Sequence, residues 1–303
     1  MKHNQYLLVF DFDETMAATK KPGPHNIGLR DAHQISIKRI FGERGADSFQ
    51  AIGGLQNRAP LELVSALLSQ DLRLQETAKM YFIRNCGRLK NIQWKDDDPI
   101  GSVTEVFVTE KMFVYASELG KHPGGVIWPE PCKGFLSLLD SLRELKEKGI
   151  PIDLAILSAG HTPFIKKTFK AWGYPLPKVV LSDDEVRYIN CPIERKIKPS
   201  TFLLYLVQKR LARLHGKINL PLKDAKEMRL KMAYFGDDLE RDGELARRAG
   251  IPFGWFTPGT IFQAIDNGIR FSDWQVIANH LRDEETFVDM LAGKSMREIF
   301  GIA

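Results

Sequence analysis

Asp11 and Asp13 stand two residues apart in the segment DFDET, directly after an apolar run. Alternate side chains of an extended backbone share a side, so the two carboxylates would repel each other there. A bound cation would relieve that repulsion. Magnesium prefers carboxylate oxygens, water and phosphate, and Asp237 of the segment GDD, brought from another strand end, would complete a hard-cation site with Asp11. A carboxylate can also attack phosphorus to give an aspartyl phosphate, which divides a hydrolysis into two displacements. Asp11 is the candidate nucleophile. Asp13 could protonate the leaving oxygen and then activate water.

Ser158 follows the apolar run IDLAIL, and the small residues Ala159 and Gly160 let backbone amides approach an anion before a helix start. Thr162 and Pro163 suit the cap and first position of that helix. A lysine would supply the compact positive charge that a transferring phosphoryl group needs. Lys198, just before Pro199, is preferred to Lys196, which stays open. Asp238 could meet a metal through water or cap the following helix. Taken singly these are weak signals, because Asp pairs favour turns, a serine serves as a turn hydroxyl, and most lysines are solvated. His161 beside the serine reads as a local hydrogen-bonding residue. In GGLQNRAP, residues 53–60, Asn57 and Arg58 could contact a leaving group or could form a plain turn.

The elements that would carry these residues alternate. Tyr6 to Phe10 reads as a buried parallel strand ending at Asp11. Apolar residues at helical spacing fill residues 16–127, in DAHQISIKRIF, PLELVSALLSQ, LQETAKMYFIRNCGRLK and TEVFVTEKMFVYASEL. The Gly- and Pro-rich stretch 120–134 reads as a return linker. After it come a helix in FLSLLDSLRELKEKG, strands in IDLAIL, KVVLS, LKMAYF and IPFGWF, and helices after HTP, from PSTFLL and through LERDGELARRAG. Beyond residue 258 the segments TIFQAIDNG, SDWQVIANHL and EETFVDML are expected to be helical. The fold class is therefore α/β: a doubly wound, Rossmann-like parallel sheet core with a helical cap domain, residues 1–15 and 128–303 forming the core and 16–127 the cap. Ligands belong outside the carboxyl ends of the strands, where the polar clusters should meet.

In that order, DFDET, LSAG, KPSTF and GDDLERD resemble the four motifs of the haloacid dehalogenase-like superfamily, over residues 11 to 242. The resemblance implies Asp11 as nucleophile and Asp13 as general acid and base. It implies a phosphate contact set of Thr15, Ser158, Ala159 and Lys198, and magnesium on Asp11, Asp237 and the Asp13 carbonyl. Asp242 would support the lysine or the metal, and the cap would choose the substrate. The family's first motif often carries glycine where this chain has Glu14.

At 303 residues, with 44% apolar and 27% charged side chains, the chain has the composition of a globular protein with a sizeable core. Cys86, Cys132 and Cys191 lie far apart, which supports neither a disulfide framework nor a zinc site. The amino-terminal apolar run is too short for a signal sequence or a membrane span, which makes the cytoplasm the expected location. A formal charge of +5 suits an anionic substrate, and the scattered Lys and Arg argue against nucleic acid as a partner. The expected activity is magnesium-dependent hydrolysis of a small phosphorylated metabolite, with homo-oligomerisation left open. A phosphoglucomutase-like phosphotransferase would use the same residues, and a non-catalytic scaffold would need none of them. Dehalogenation is disfavoured because it needs no second acid at Asp13.

Overall fold

The structure, a computed structural model, describes residues 6–19, 29–54, 58–119, 128–186, 189–216 and 231–281. The chain divides into two compact units, Met1–Ala18 with Pro129–Ala303, and Thr19–Trp128. The division falls three residues past the expected boundary because residues 16–18 are tied to the returning chain. Ala17 bridges Pro131, Cys132 N donates to Met16 O at 2.8 Å, and Ala18 N donates to Glu130 O at 2.9 Å.

Strand β1 (Tyr6–Phe10) precedes the helical unit. That unit holds α1 (Leu29–Ala51), broken at Gly42, then α2 (Pro60–Gln70), α3 (Arg73–Arg84) and α4 (Pro99–Leu119). Apolar positions at three-to-four spacing, such as Ile37, Ile40, Phe41, Leu63, Leu67, Leu74, Ala78, Val103 and Phe107, meet in one core. Glu110 is wholly buried on α4, where Arg39 at 3.1 Å and Arg88 at 2.8 Å neutralise it.

The core unit continues with α5 (Phe135–Glu147), β2 (Ile152–Leu157), α6 (Thr162–Trp172), β3 (Val179–Leu181), two short helices α7 (Asp183–Val186) and α8 (Ile193–Lys196), and α9 (Thr201–Leu214). It closes with β4 (Met232–Gly236), a wide turn over Leu239–Gly243, α10 (Glu244–Ala249), β5 (Phe253–Phe256), β6 (Gln263–Ile265), β7 (Gly268–Phe271) and α11 (Trp274–Leu281). The seven strands lie in the order β3-β2-β1-β4-β5-β7-β6, and every pair is parallel except β6–β7. Chain order reverses between β1 and β4, which opens a crevice at their carboxyl ends. One face buries Leu7, Val9, Tyr234 and Phe253 against α9 and α10. The other carries an aromatic cluster in which Phe10 lies 5.0 Å from Phe235 and Phe271 lies 4.7 Å from Trp274.

The helix expected in TIFQAIDNG does not form. Residues 263–271 make an antiparallel hairpin in which Ile265 faces Gly268 across Asp266–Asn267. Turn residues rather than apolar period decide this segment. Gly268 is required as well, since a Cβ there would lie 1.7 Å from the Phe253 carbonyl oxygen. The helix in SDWQVIANHL is α11, whereas EETFVDML and residues 120–127 of the linker lie outside the described residues. Among the described residues no helix is long and apolar enough to cross a membrane.

Candidate active site

Register alone brings three of the four motifs together. Phe10 pairs with Ile156 on one side and Phe235 on the other, so Asp11, Ser158 and Asp237 all follow strand ends at nearly one level. Asp11 N donates to Phe235 O at 2.8 Å and fixes the nucleophile candidate at the mouth of the crevice. The fourth motif arrives from the start of α9. Lys198 Nζ lies 2.5 Å from Asp11 Oδ1 and 2.8 Å from Asp242 Oδ1, with its side chain only 9% exposed. The lysine that reaches the carboxylates is thus Lys198, while Lys196 ends α8.

Asp242 gets there through local geometry that helical periodicity does not foretell. Asp238 caps the wide turn, its Oδ1 accepting from Glu240 N and Arg241 N at 3.0 Å each. Asp242 N and Gly243 N both donate back to Asp238 O, and this widened turn returns the Asp242 side chain to the end of β4. Gly236 makes room for it, because a Cβ at that position would lie 2.2 Å from Asp242 Oδ2. Gly236→Ala is therefore expected to displace Asp242. The loss should be about 1–3 kcal/mol of stability, read as a lower denaturant midpoint.

Asp11, Asp237 and Asp242 each offer a carboxylate oxygen within 4.8 Å of the others. Burial pushes the Asp11 carboxyl well above its usual range; Lys198 pulls it down, while Asp242, Asp237 and Asp13 push it further up. Burial would lower Lys198, but the Asp11 and Asp242 charges outweigh it and hold the ammonium well above its ordinary value. Three carboxyl groups gather here around one ammonium, and the all-oxygen donor set fits a hard divalent cation such as magnesium.

Asp13 lies by the serine loop, since a Cβ on Gly160 would meet Asp13 Oδ2 at 3.2 Å and Ser158 Oγ at 3.1 Å. Ser158 Oγ accepts from Gly160 N at 2.8 Å, and Ala159 is partly buried between them. Asp13 enters that position through a tight turn. Glu14 N donates to Ala17 O at 2.8 Å, and Glu14 itself has φ of 58°, the left-handed region that glycine usually occupies. Thr15 is wholly buried: its carbonyl accepts from Trp274 Nε1 at 2.9 Å, and its hydroxyl meets no partner among the described residues. In the helical unit, Arg58 Nη1 donates to Ile52 O at 2.8 Å and to Gly54 O at 3.4 Å, binding the turn after α1. Asn57 lies outside the described residues.

Several supports carry no motif. The cap of α6 is His161 rather than Thr162, and the carboxylate that accepts from Thr162 N, at 2.9 Å, is Asp184 of α7. The other oxygen of Asp184 is 3.0 Å from His161 Nδ1, so one side chain pins the segment after the serine loop. Trp255 Nε1 donates to the Asp237 carbonyl at 2.9 Å, with the Arg270 guanidinium 4.4 Å over its ring. Tyr234 Oη donates to Asp242 Oδ1 at 3.0 Å. The available signal for the last two was a polar-tipped aromatic in an otherwise apolar strand, LKMAYF for Tyr234 and IPFGWF for Trp255. For Asp184 there was none, because its target lies 22 residues away.

No protein-family model matches the chain, and no curated protein matches it. Among solved structures it is similar to a putative HAD-hydrolase, YfnB, from Bacillus subtilis bound to magnesium. The identity is 14%, over 92% of this chain and 100% of that one, with a TM-score of 0.43. It is also similar to a HAD phosphatase from Thermococcus onnurineus, at 13% identity over 91% and 98% of the two chains and a TM-score of 0.44. A third is 2-haloacid dehalogenase from Pseudomonas syringae pv. Tomato DC3000, at 15% identity over 91% and 97% and a TM-score of 0.41. Identities this low leave the chemistry to be read from the side chains.

Proposed function

We propose that the chain is a haloacid dehalogenase-like phosphohydrolase that cleaves a small phosphorylated metabolite through an aspartyl phosphate on Asp11. One observation carries the reading: Lys198 joins Asp11 to Asp242 at the carboxyl ends of β1 and β4, within reach of the Asp237 carboxylate. A lone carboxylate pair serves many turns, but a buried nucleophile candidate with a fixed ammonium and an acidic cluster suits phosphoryl transfer.

The Asp11 carboxylate attacks phosphorus, and the bond to the leaving oxygen breaks. Asp13 donates a proton to that oxygen, then takes one from water as the water attacks the aspartyl phosphate. Inorganic phosphate leaves and both carboxyl groups regain their starting states. Ser158 and the amides of its loop hold phosphoryl oxygens, and Lys198 neutralises the charge that spreads over them. Asp11, Asp237 and the Asp13 carbonyl would hold magnesium, which when bound supplies charge neutralisation at the phosphoryl group. Asp13 beside the serine loop favours this chemistry over dehalogenation, which has no use for a second acid.

The test is phosphate release from an aryl phosphate and from a panel of sugar phosphates, nucleotides and phosphorylated acids. Turnover should vanish when magnesium is chelated and return when it is restored. Metal-independent release, or none from any ester at saturating magnesium, would overturn the reading.

A further inference from the structure

Tyr234 is a phenol on a strand whose other side chains in the fold's interior are apolar, and its side chain is wholly buried. Its Oη donates to Asp242 Oδ1 at 3.0 Å and also lies 3.4 Å from the Leu157 carbonyl, the last residue before Ser158. The ring reaches across β1 from β4 to β2, and the Lys198 ammonium stands 5.5 Å from its centroid. Asp242 Oδ1 thus receives two donors, the phenol and the ammonium. The other oxygen, Oδ2, has a longer contact with Asp238 N at 3.4 Å, so the phenol and the ammonium are the closer donors that set the carboxylate's rotation.

We infer that Tyr234 is a positioning residue that sets the Lys198 ammonium through Asp242. The phenol fixes which oxygen of Asp242 faces Lys198, so that the ammonium is shared between Asp242 and Asp11. Without the hydroxyl, Asp242 turns, Lys198 loses one of its two anchors, and its place at the mouth of the crevice is no longer unique. Only the kinetic consequence rests on the phosphohydrolase reading. The ammonium's order does not depend on turnover.

Tyr234→Phe keeps the ring, which lies 6.4 Å from Phe253, and removes only the hydroxyl. The first readout is the ¹⁵N–¹H ammonium resonance of Lys198 in the full chain, assigned by its absence from Lys198→Arg. A held ammonium exchanges slowly enough to be seen, and the signal should disappear in Tyr234→Phe. The second is turnover of the aryl phosphate, where kcat should fall about tenfold with KM unchanged, as expected for one lost hydrogen bond that acts on the transition state. Phe253→Leu loosens the same aromatic packing but leaves the phenol, and it should retain both the signal and kcat. Persistence of the ammonium signal in Tyr234→Phe overturns the inference whatever the kinetics, and so does its loss in Phe253→Leu. A wild type that hydrolyses no ester, yet shows a signal dependent on Tyr234, would sink the phosphohydrolase reading and leave the positioning role standing.

Discussion

Asp11→Asn is expected to lower kcat for phosphate release by a factor on the order of 10⁴ or more while leaving the protein folded. The amide keeps the shape of the side chain but cannot form the acyl phosphate, so the two-step route closes and no parallel route is supplied. Stability should move the other way. Burial and the Asp242, Asp237 and Asp13 charges hold the Asp11 carboxyl well above its usual range, against the pull of Lys198. A raised carboxyl pKa means that the fold favours the neutral form. The cost of ionisation is absent below the unfolded pKa, grows as pH rises from there to the folded pKa, and is fully present above it. A neutral isostere should therefore melt no lower than the wild type at pH near 7, and a bound magnesium ion should reverse that order. The checks are phosphate release and thermal unfolding with and without the metal. Mass analysis of acid-quenched wild type should find one phosphoryl group on the peptide that carries Asp11, absent from the variant. Equal turnover in both proteins would remove Asp11 from the mechanism.

Much of the core follows from residue type and order. The run YLLVF is apolar without alternation because β1 is central and buried on both faces, and the loops after β1, β2 and β4 bring polar residues to one end through parallel register. What escaped the sequence shares a cause: each case depends on a partner distant along the chain or on a turn that overrides periodicity. TIFQAIDNG has helical spacing, yet it folds as a hairpin around Asp266–Asn267, next to a glycine whose Cβ would lie 1.7 Å from the Phe253 carbonyl oxygen. The place of Lys198 just before Pro199 favoured it over Lys196 without excluding the other, and it is the folded backbone between α8 and α9 that turns Lys198 toward Asp11. The turn after the first motif accommodates Glu14 in a left-handed conformation, which costs roughly 1 kcal/mol and which no composition rule would place there. Tyr234 and Trp255 lie in strands expected from apolar residues, and Asp184 in a stretch that carries no motif, yet their polar tips meet Asp242, the Asp237 carbonyl and the start of α6.

Asp13→Asn should separate the two displacements that Asp11→Asn abolishes together. Asp13 sits by the Ser158 loop, close enough that a Cβ on Gly160 would touch it at 3.2 Å. In the first displacement it protonates the leaving oxygen, and in the second it takes a proton from water. An aryl leaving group is stable as its anion and needs little protonation, so Asp11 of the variant should still be phosphorylated by an aryl phosphate. The aspartyl phosphate then waits for a water that no base activates. The expected record is a burst of phenol equal to one equivalent of enzyme, followed by steady-state release reduced by about 10²–10⁴-fold. An alkyl ester such as a sugar phosphate needs the acid at once and should give no burst. Rapid-quench measurement of phenol and phosphate together checks this directly. Simultaneous and equal loss of both displacements for aryl and alkyl esters would instead make Asp13 a residue that only shapes the turn. Unchanged steady-state turnover would take it out of the proton transfers altogether.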